Sequence, residues 1–225
     1  MTLDEQKRAA AEAAIGYVAP RTIVGVGTGS TADFFISALA ERPGLVAAAV
    51  ASSEASAAAL HAAGIAVVGL DAAPSLPLYV DGADEVDPHL RLIKGAGGAL
   101  AREKVLASAA TLFVCIVDGS KLVERLGGAP VPLAVLPMAG PTVVRRVRDL
   151  GGRPVARAGF RSDDGAAILD VTGLDLSDPE RLEADLDAIP GVLECGVFAL
   201  RRADVVLAGT GTGVSTLGRP GVTPA

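Results

Sequence analysis

The chain has no tryptophan, and aromatic residues make up only 3% of its 225 positions. That excludes the stacking platforms on which single-stranded nucleic acid lies, and it excludes sugar recognition by aromatic faces. A basic excess is also missing: Lys plus Arg is 20, Asp plus Glu is 26, and the net charge is −6. No nucleic-acid partner is expected on that balance. Two cysteines, Cys115 and Cys195, cannot build a disulfide framework, and each lies in a short apolar run that reads as core. The two histidines, His61 and His89, have neither metal-ligand spacing nor a nucleophile partner. No metal is expected, and a zinc enzyme or a Ser-His-Asp hydrolase is disfavoured. The most apolar long stretch, 55–70, is mostly Ala and is broken by His61 and Gly64, too weak for a membrane span. The opening Met1-Thr2-Leu3-Asp4 lacks the basic-then-apolar order of an export signal. A soluble, cytoplasmic protein is the expectation.

What is present is an apolar half, enough for a real core. Thr2 and Glu5 form a T-x-x-E capping box that predicts a helix to about Val18. Apolar segments at 22–26, 45–51, 65–70, 78–80 and 112–117 read as strands, with helical spacing between them over short loops. That alternation predicts a doubly wound, mostly parallel sheet, in which ligands bind where strands end and helices begin. Near residue 130 the rhythm changes, with Pro130, Pro132 and Pro137. The order becomes strand (133–136), helix (141–150), strand (153–157), strand (166–171), helix (179–188), strand (192–198), which is ferredoxin-like. Residues 203–207 read as a return to the first sheet. The expected fold is α/β: a Rossmann-like domain (1–130 plus 204–225) with a smaller ferredoxin-like α+β domain (131–203).

Four strand-end loops carry polar residues that a fold alone does not require. In Gly25-Val26-Gly27-Thr28-Gly29-Ser30-Thr31, small residues let backbone N–H groups approach an anion at a helix N-terminus. It is a poor dinucleotide fingerprint, because Ser30 stands where the third Gly belongs, and it lacks the Gly-Lys-Ser/Thr of a P-loop. A plain tight turn is the alternative reading. Asp81-Gly82-Ala83-Asp84-Glu85, with Asp87 beyond, reads as a solvated loop, a cation site without EF-hand spacing, or carboxylates placed for sugar hydroxyls and proton transfer. Lys94-Gly95-Ala96-Gly97-Gly98 leads into a helix that carries Glu103. Its N–H groups and the Lys94 charge suit a developing oxyanion, while Glu103 alone could be a surface residue that suits the helix dipole. The fourth loop is Asp118-Gly119-Ser120-Lys121. The chain uses sixteen Arg but only four Lys (Lys7, Lys94, Lys104 and Lys121), and two of the four sit in these loops. A compact ammonium suits phosphate oxygens as a point charge, and Lys7 is a further candidate for a phosphate contact.

Taken together, these motifs resemble type A ribose-5-phosphate isomerases. The matching stretches are 25–31, Tyr79 to Glu85, Ile93 to Leu100, Arg102-Glu103-Lys104 and 118–121, and further matches run through 151–154, 168–170 and 189–191. The resemblance implies a cofactor-free aldose–ketose isomerase. It would interconvert D-ribose 5-phosphate and D-ribulose 5-phosphate through an enediolate, in the non-oxidative pentose phosphate pathway. It further implies Glu103 as the base between C2 and C1, with Lys94 and the N–H groups of Gly95, Ala96 and Gly97 holding the enediolate. Asp81 and Asp84 would bind hydroxyls, with Gly82 and Ala83 also at the substrate, Asp81 would assist ring opening, and Thr28, Gly29, Ser30, Thr31 and Lys121 would hold the substrate and its phosphate. A homodimer or tetramer is implied, assembled with the help of the small domain. The chain departs from the family pattern at Ala96, where a Gly is usual, at Gly98, where an Ala is usual, at Ala134, where a Glu is usual, at Asp164-Gly165-Ala166, and at Gly209-Thr-Gly-Thr-Gly213. Three rivals stand beside this reading: a sugar-phosphate sensor, which would lose the base; an amino-sugar phosphate deaminase, which needs a catalytic His; and an NAD-dependent dehydrogenase.

Overall fold

The capping box at Thr2 forms as expected: its hydroxyl accepts the Glu5 N–H at 3.2 Å, and the Glu5 carboxylate accepts the Thr2 N–H at 2.7 Å. The helix it opens is the first element of the computed structural model, which describes residues 1–73, 75–218 and 223–225. In chain order the elements are α1 (Leu3–Ile15), β1 (Thr22–Val26), α2 (Ser30–Ala40), β2 (Val46–Ala51), α3 (Glu54–Ala62), β3 (Leu76–Asp81), β4 (Glu85–Val86), β5 (Leu92–Ile93), α4 (Leu100–Ala109) and β6 (Ala110–Asp118). They continue with β7 (Val131–Val135), α5 (Gly140–Asp149), β8 (Arg153–Ala156), β9 (Ala167–Thr172), α6 (Pro179–Asp187), β10 (Val192–Cys195), β11 (Val197–Phe198), β12 (Val205–Thr210) and β13 (Gly213–Gly218). No helix among the described residues is long and apolar enough to cross a membrane.

The chain divides into two compact units, 1–83 with 105–122 and 203–225, and 84–104 with 123–202. The first is built on a six-stranded sheet in the order β13-β12-β6-β3-β1-β2, parallel except for β13. Both faces of its central strands are covered, so they read as continuous apolar runs rather than alternating ones. Small residues of α1 (Ala10, Ala11, Ala14) pack with Val24, Val80, Val114 and Ile116 in its core. The chain runs from β1 to β2 on one side and returns to β3 on the other. The topological switch point, where such sheets leave a crevice at their carboxyl ends, therefore lies between β1 and β3. One expected strand, 65–70, is absent as an element: only Val67 bridges to Ala49, and none of residues 65–70 is buried. The stretch is apolar but lies at the rim beyond β2, where two hydrogen bonds to Ala49 are all it makes with that strand. Residues 219–222, in the expected tail of the first domain, lie outside the described residues.

The second unit holds an antiparallel sheet in the order β10-β7-β9-β8, the ferredoxin-like arrangement read from the sequence. Its core gathers Val131, Leu133 and Val135 of β7 with Val143 and Val147 of α5 and Leu186 of α6. The unit also contains a small sheet, β11-β5-β4, whose two-residue strands left no periodic signal. That pairing puts residues 84–104 in the second unit, whereas the sequence division at 130 grouped them with the first. The expected strand 192–198 is split at Gly196, whose N–H bonds Pro132 O at 2.7 Å while its carbonyl accepts the Lys94 N–H at 2.9 Å. One residue thus links the two sheets and fixes the backbone of Lys94. A Cβ at Gly196 would collide with the Lys94 carbonyl.

Candidate active site

The first unit contributes the loop at its switch point that the sequence offered as an anion cradle. The last residue of β3, Asp81, is fully buried. Its Oδ1 accepts the N–H groups of Thr28 at 3.1 Å and Gly82 at 2.7 Å, and its Oδ2 accepts the Tyr79 hydroxyl. Tyr79 and Asp81 are two apart on one strand and so share a face, a pairing that strand periodicity makes legible. Gly27 is required here because a Cβ would land on the Asp81 carboxylate. Beyond it, Gly29 takes φ 94° and opens α2 with no side-chain cap, leaving its first N–H groups available to a ligand. Ser30 is exposed and Thr31 half-buried, and the Lys7 ammonium donates to Ser30 Oγ at 3.1 Å.

Residues that sequence reasoning did not single out brace this loop. Ser53 Oγ donates to Thr28 Oγ1 at 3.0 Å, and Ser56 Oγ donates to Gly27 O at 2.7 Å. Their only sequence signal is the Ser52-Ser53 pair at the end of β2. Gly82 and Ala83 follow β3 half-buried, and Lys121 closes the 3-10 turn after β6, also half-buried. Among the described residues no hydrogen bond ties Lys121 to the loop at 28–31.

The second unit supplies the charged pair. Lys94 follows β5, Glu103 lies in the first turn of α4, and Lys94 Nζ stands 3.0 Å from Glu103 Oε2 with both side chains only 3% exposed. The surface-residue alternative for Glu103 is therefore excluded. Between them, Gly95 takes φ 99° and Gly98 φ 82°. The Ala96 N–H is engaged by Asp84 Oδ2 at 3.1 Å, so of the three expected oxyanion donors this one is taken by the acidic loop that precedes it. Ala96 and Gly97 are exposed.

The acids beyond Asp84 have structural work. Buried Glu85 accepts the N–H groups of Gly127 at 2.7 Å and Ala129 at 2.5 Å, and Asp87 holds the Arg91 turn with a 2.6 Å ion pair. Neither is left to ligate a cation with its neighbours.

Next to Glu103, Lys104 points into the second unit. Its ammonium meets Glu183 at 2.8 Å, Glu194 at 2.7 Å and the Val197 carbonyl at 2.8 Å, with the Phe198 ring centroid 4.7 Å away. Burial works against its charge, but Cys195, Glu194 and Glu183 together hold its pKa well above the ordinary lysine value. Burial pushes the Cys195 thiol up, so it is an inert core residue. Glu183 also accepts the N–H groups of Ala199 and Leu200, each at 2.7 Å. This anchor was missed because its partners lie 79 positions apart. The available clue was Glu183 on the same helix face as Leu186.

Two of the places where the sequence leaves the family pattern have a plain structural setting. Ala134 is buried and packs with Leu100, Phe160 and Ile168, and 209–213 is the tight turn of the β12–β13 hairpin.

The comparisons with known proteins place the chain and its fold. The family model of ribose 5-phosphate isomerase A (phosphoriboisomerase A) matches residues 48–213. A ribose-5-phosphate isomerase A of Acidithiobacillus ferrooxidans is 54% identical over 214 residues, covering 95% of this chain and 98% of that protein. The crystal structure of ribose 5 phosphate isomerase A from Neisseria gonorrhoeae superposes with a TM-score of 0.95 at 43% identity, covering 96% of this chain and 97% of that one. A D-ribose-5-phosphate isomerase solved in complex with phospho-erythronic acid gives 0.94 at 35% identity, covering 97% and 100%. By these measures and by its own residues, the chain belongs to the ribose-5-phosphate isomerase A family.

Proposed function

We propose a division of labour for the reaction that family membership carries, the interconversion of D-ribose 5-phosphate and D-ribulose 5-phosphate. The observation that carries it is the buried Lys94–Glu103 pair at the end of a glycine-rich turn. Deprotonation beside a carbonyl needs a base and a partner for the oxyanion that forms. Glu103 takes the C2 proton of the open-chain aldose. The electron pair moves toward C1, and its carbonyl oxygen becomes the enediolate oxygen. Lys94 and the Gly95 and Gly97 N–H groups stabilise that charge. A proton passes from O2 to O1, and Glu103 returns its proton to C1, leaving the ketose. No atom is gained or lost, and no oxidant or reductant is consumed.

Asp81, held by three donors, binds a hydroxyl and assists ring opening. Gly82, Ala83 and Asp84 line the same stretch, with the Asp84 carboxylate keeping Ala96 in place. Thr28, Gly29, Ser30 and Thr31, with Lys7 and Lys121, hold the phosphate through N–H groups, hydroxyls and point charges. A phosphorylated sugar acid such as phospho-erythronic acid should compete with substrate.

For assembly, Leu136, Met138 and Leu193 leave apolar side chains exposed on the second unit, and a homodimer or tetramer would cover them. Two buried free thiols suit a reducing, cytoplasmic compartment.

The test is isomerisation of ribose 5-phosphate in EDTA by wild type and Glu103→Gln. A loss of about 10²–10⁴-fold in kcat with KM little changed is expected. Full activity in the variant would move the base elsewhere.

A further inference from the structure

The hairpin between β8 and β9 grips the glycine-rich turn through three kinds of contact, all within the second unit. Arg157, just past β8, donates from Nη1 to the Ala96 carbonyl at 2.8 Å. Its other edge is locked by Asp170 of β9, with Nε 3.0 Å from Oδ2 and Nη2 2.6 Å from Oδ1. Phe160 lies against Gly98, where any Cβ would press into its ring, and packs with Leu100 at the start of α4. Arg102, one residue before Glu103, pairs with Asp164 at 2.7 Å and Asp163 at 3.6 Å in the hairpin tip. A forked guanidinium, held on one edge and donating from the other, has little freedom left.

The consequence follows from peptide geometry. The unit joining Ala96 to Gly97 is planar and trans, so its carbonyl and its N–H point in opposite directions. A donor fixed on the Ala96 carbonyl therefore turns the Gly97 N–H away from the hairpin. With two glycines at positive φ around it, this peptide has no intrinsic preference strong enough to hold that orientation alone. We propose that Arg157 is a positioning residue of the isomerase, aiming the Gly97 N–H at the enediolate through the Ala96 carbonyl, with Asp170 holding Arg157 in place. The inference rests on the site reading above, in which that N–H receives the developing charge.

Because such a donor acts on the enediolate and not on the ground-state sugar, its misalignment should appear in kcat. Losing an oxyanion donor outright costs about 10²–10³-fold, and an indirect loss should cost on the order of tenfold. The experiment measures ribose 5-phosphate isomerisation by wild type, Arg157→Ala and Glu103→Gln, with and without millimolar guanidinium. The expected result is a drop of roughly tenfold or more in kcat for Arg157→Ala, a KM changed less than about threefold, and partial recovery with guanidinium. A kcat within about twofold of wild type, a loss confined to KM, or a loss that guanidinium leaves untouched would overturn it. If Arg157→Ala does not fold, Arg157→Met serves: it keeps the packing stem but no donor, and an unchanged kcat there is equally fatal. An active Glu103→Gln enzyme would instead sink the site reading, and this inference with it.

Discussion

The two units solve opposite electrostatic problems. In the first, the cradle at 28–31 leaves Gly29 and Ser30 exposed, and it offers mostly backbone N–H groups and hydroxyls with a half-buried lysine at its side. In the second, Lys94, Glu103, Lys104 and Glu183 are all buried, and each is held by opposite charge. In the proposed reading, a dianionic phosphate arriving from water would be met by groups that are easily hydrated and need no large desolvation. In the same reading, a proton on carbon would be moved by groups already stripped of water, whose interactions are stronger for it. Burying such charges is costly unless their partners are in place, which explains why the second unit spends three hydrogen-bonding partners on one lysine ammonium.

The contrast can be broken most severely at Lys104. Lys104→Met would leave Glu183 buried with only its two backbone donors, and a loss of about 3–5 kcal/mol in unfolding free energy is expected. The pH course has a definite sign. A lysine whose folded pKa is raised contributes stability that is fully present below its unfolded value, about 10.4, and is lost only as pH rises through the higher folded value. The stability gap between wild type and Lys104→Met should therefore stay level from about pH 6 to 9, as denaturant titrations would show. A gap that shrinks across that window would mean the ammonium is not what holds the cluster.

A smaller effect is expected in the cradle. Lys7→Ala should raise KM for ribose 5-phosphate by about tenfold, one charge-assisted contact, and leave kcat nearly unchanged. Added salt sharpens the same distinction. Raising ionic strength should weaken KM through the exposed cradle and spare kcat, since the buried pair is poorly screened. A kcat that falls with salt would erase the difference between the halves. The smallest change is Ser56→Ala, which removes the brace on Gly27. Thermal unfolding should report a loss of about 1 kcal/mol, with a KM shift of no more than a few fold.

Much of this was legible in the sequence because it is local. The Thr2 cap, the β1 turn and the order of elements in the ferredoxin-like part all follow from spacing over a few residues. The stretch 65–70 misled because apolar composition does not distinguish a paired strand from a rim segment that touches β2 at Ala49 alone. The β4-β5-β11 sheet escaped because two-residue strands have no period. Lys104 with Glu183, and Arg157 with Ala96, escaped because each pairing closes a long loop, and nothing local in the chain names the partner.

The scarcity of lysine has a practical edge. Of the four, Lys94 and Lys104 are buried. Lys7 and Lys121 are half-buried and are the side-chain amines open to reagents. Both belong to the proposed phosphate side. Coupling the enzyme to a solid support through its amines would thus attach it by the groups that greet the substrate, and an immobilised preparation could be well folded yet blind to ribose 5-phosphate. Attachment through carboxylates on the outer face of α6, or through an added terminal tag, would leave that doorway clear.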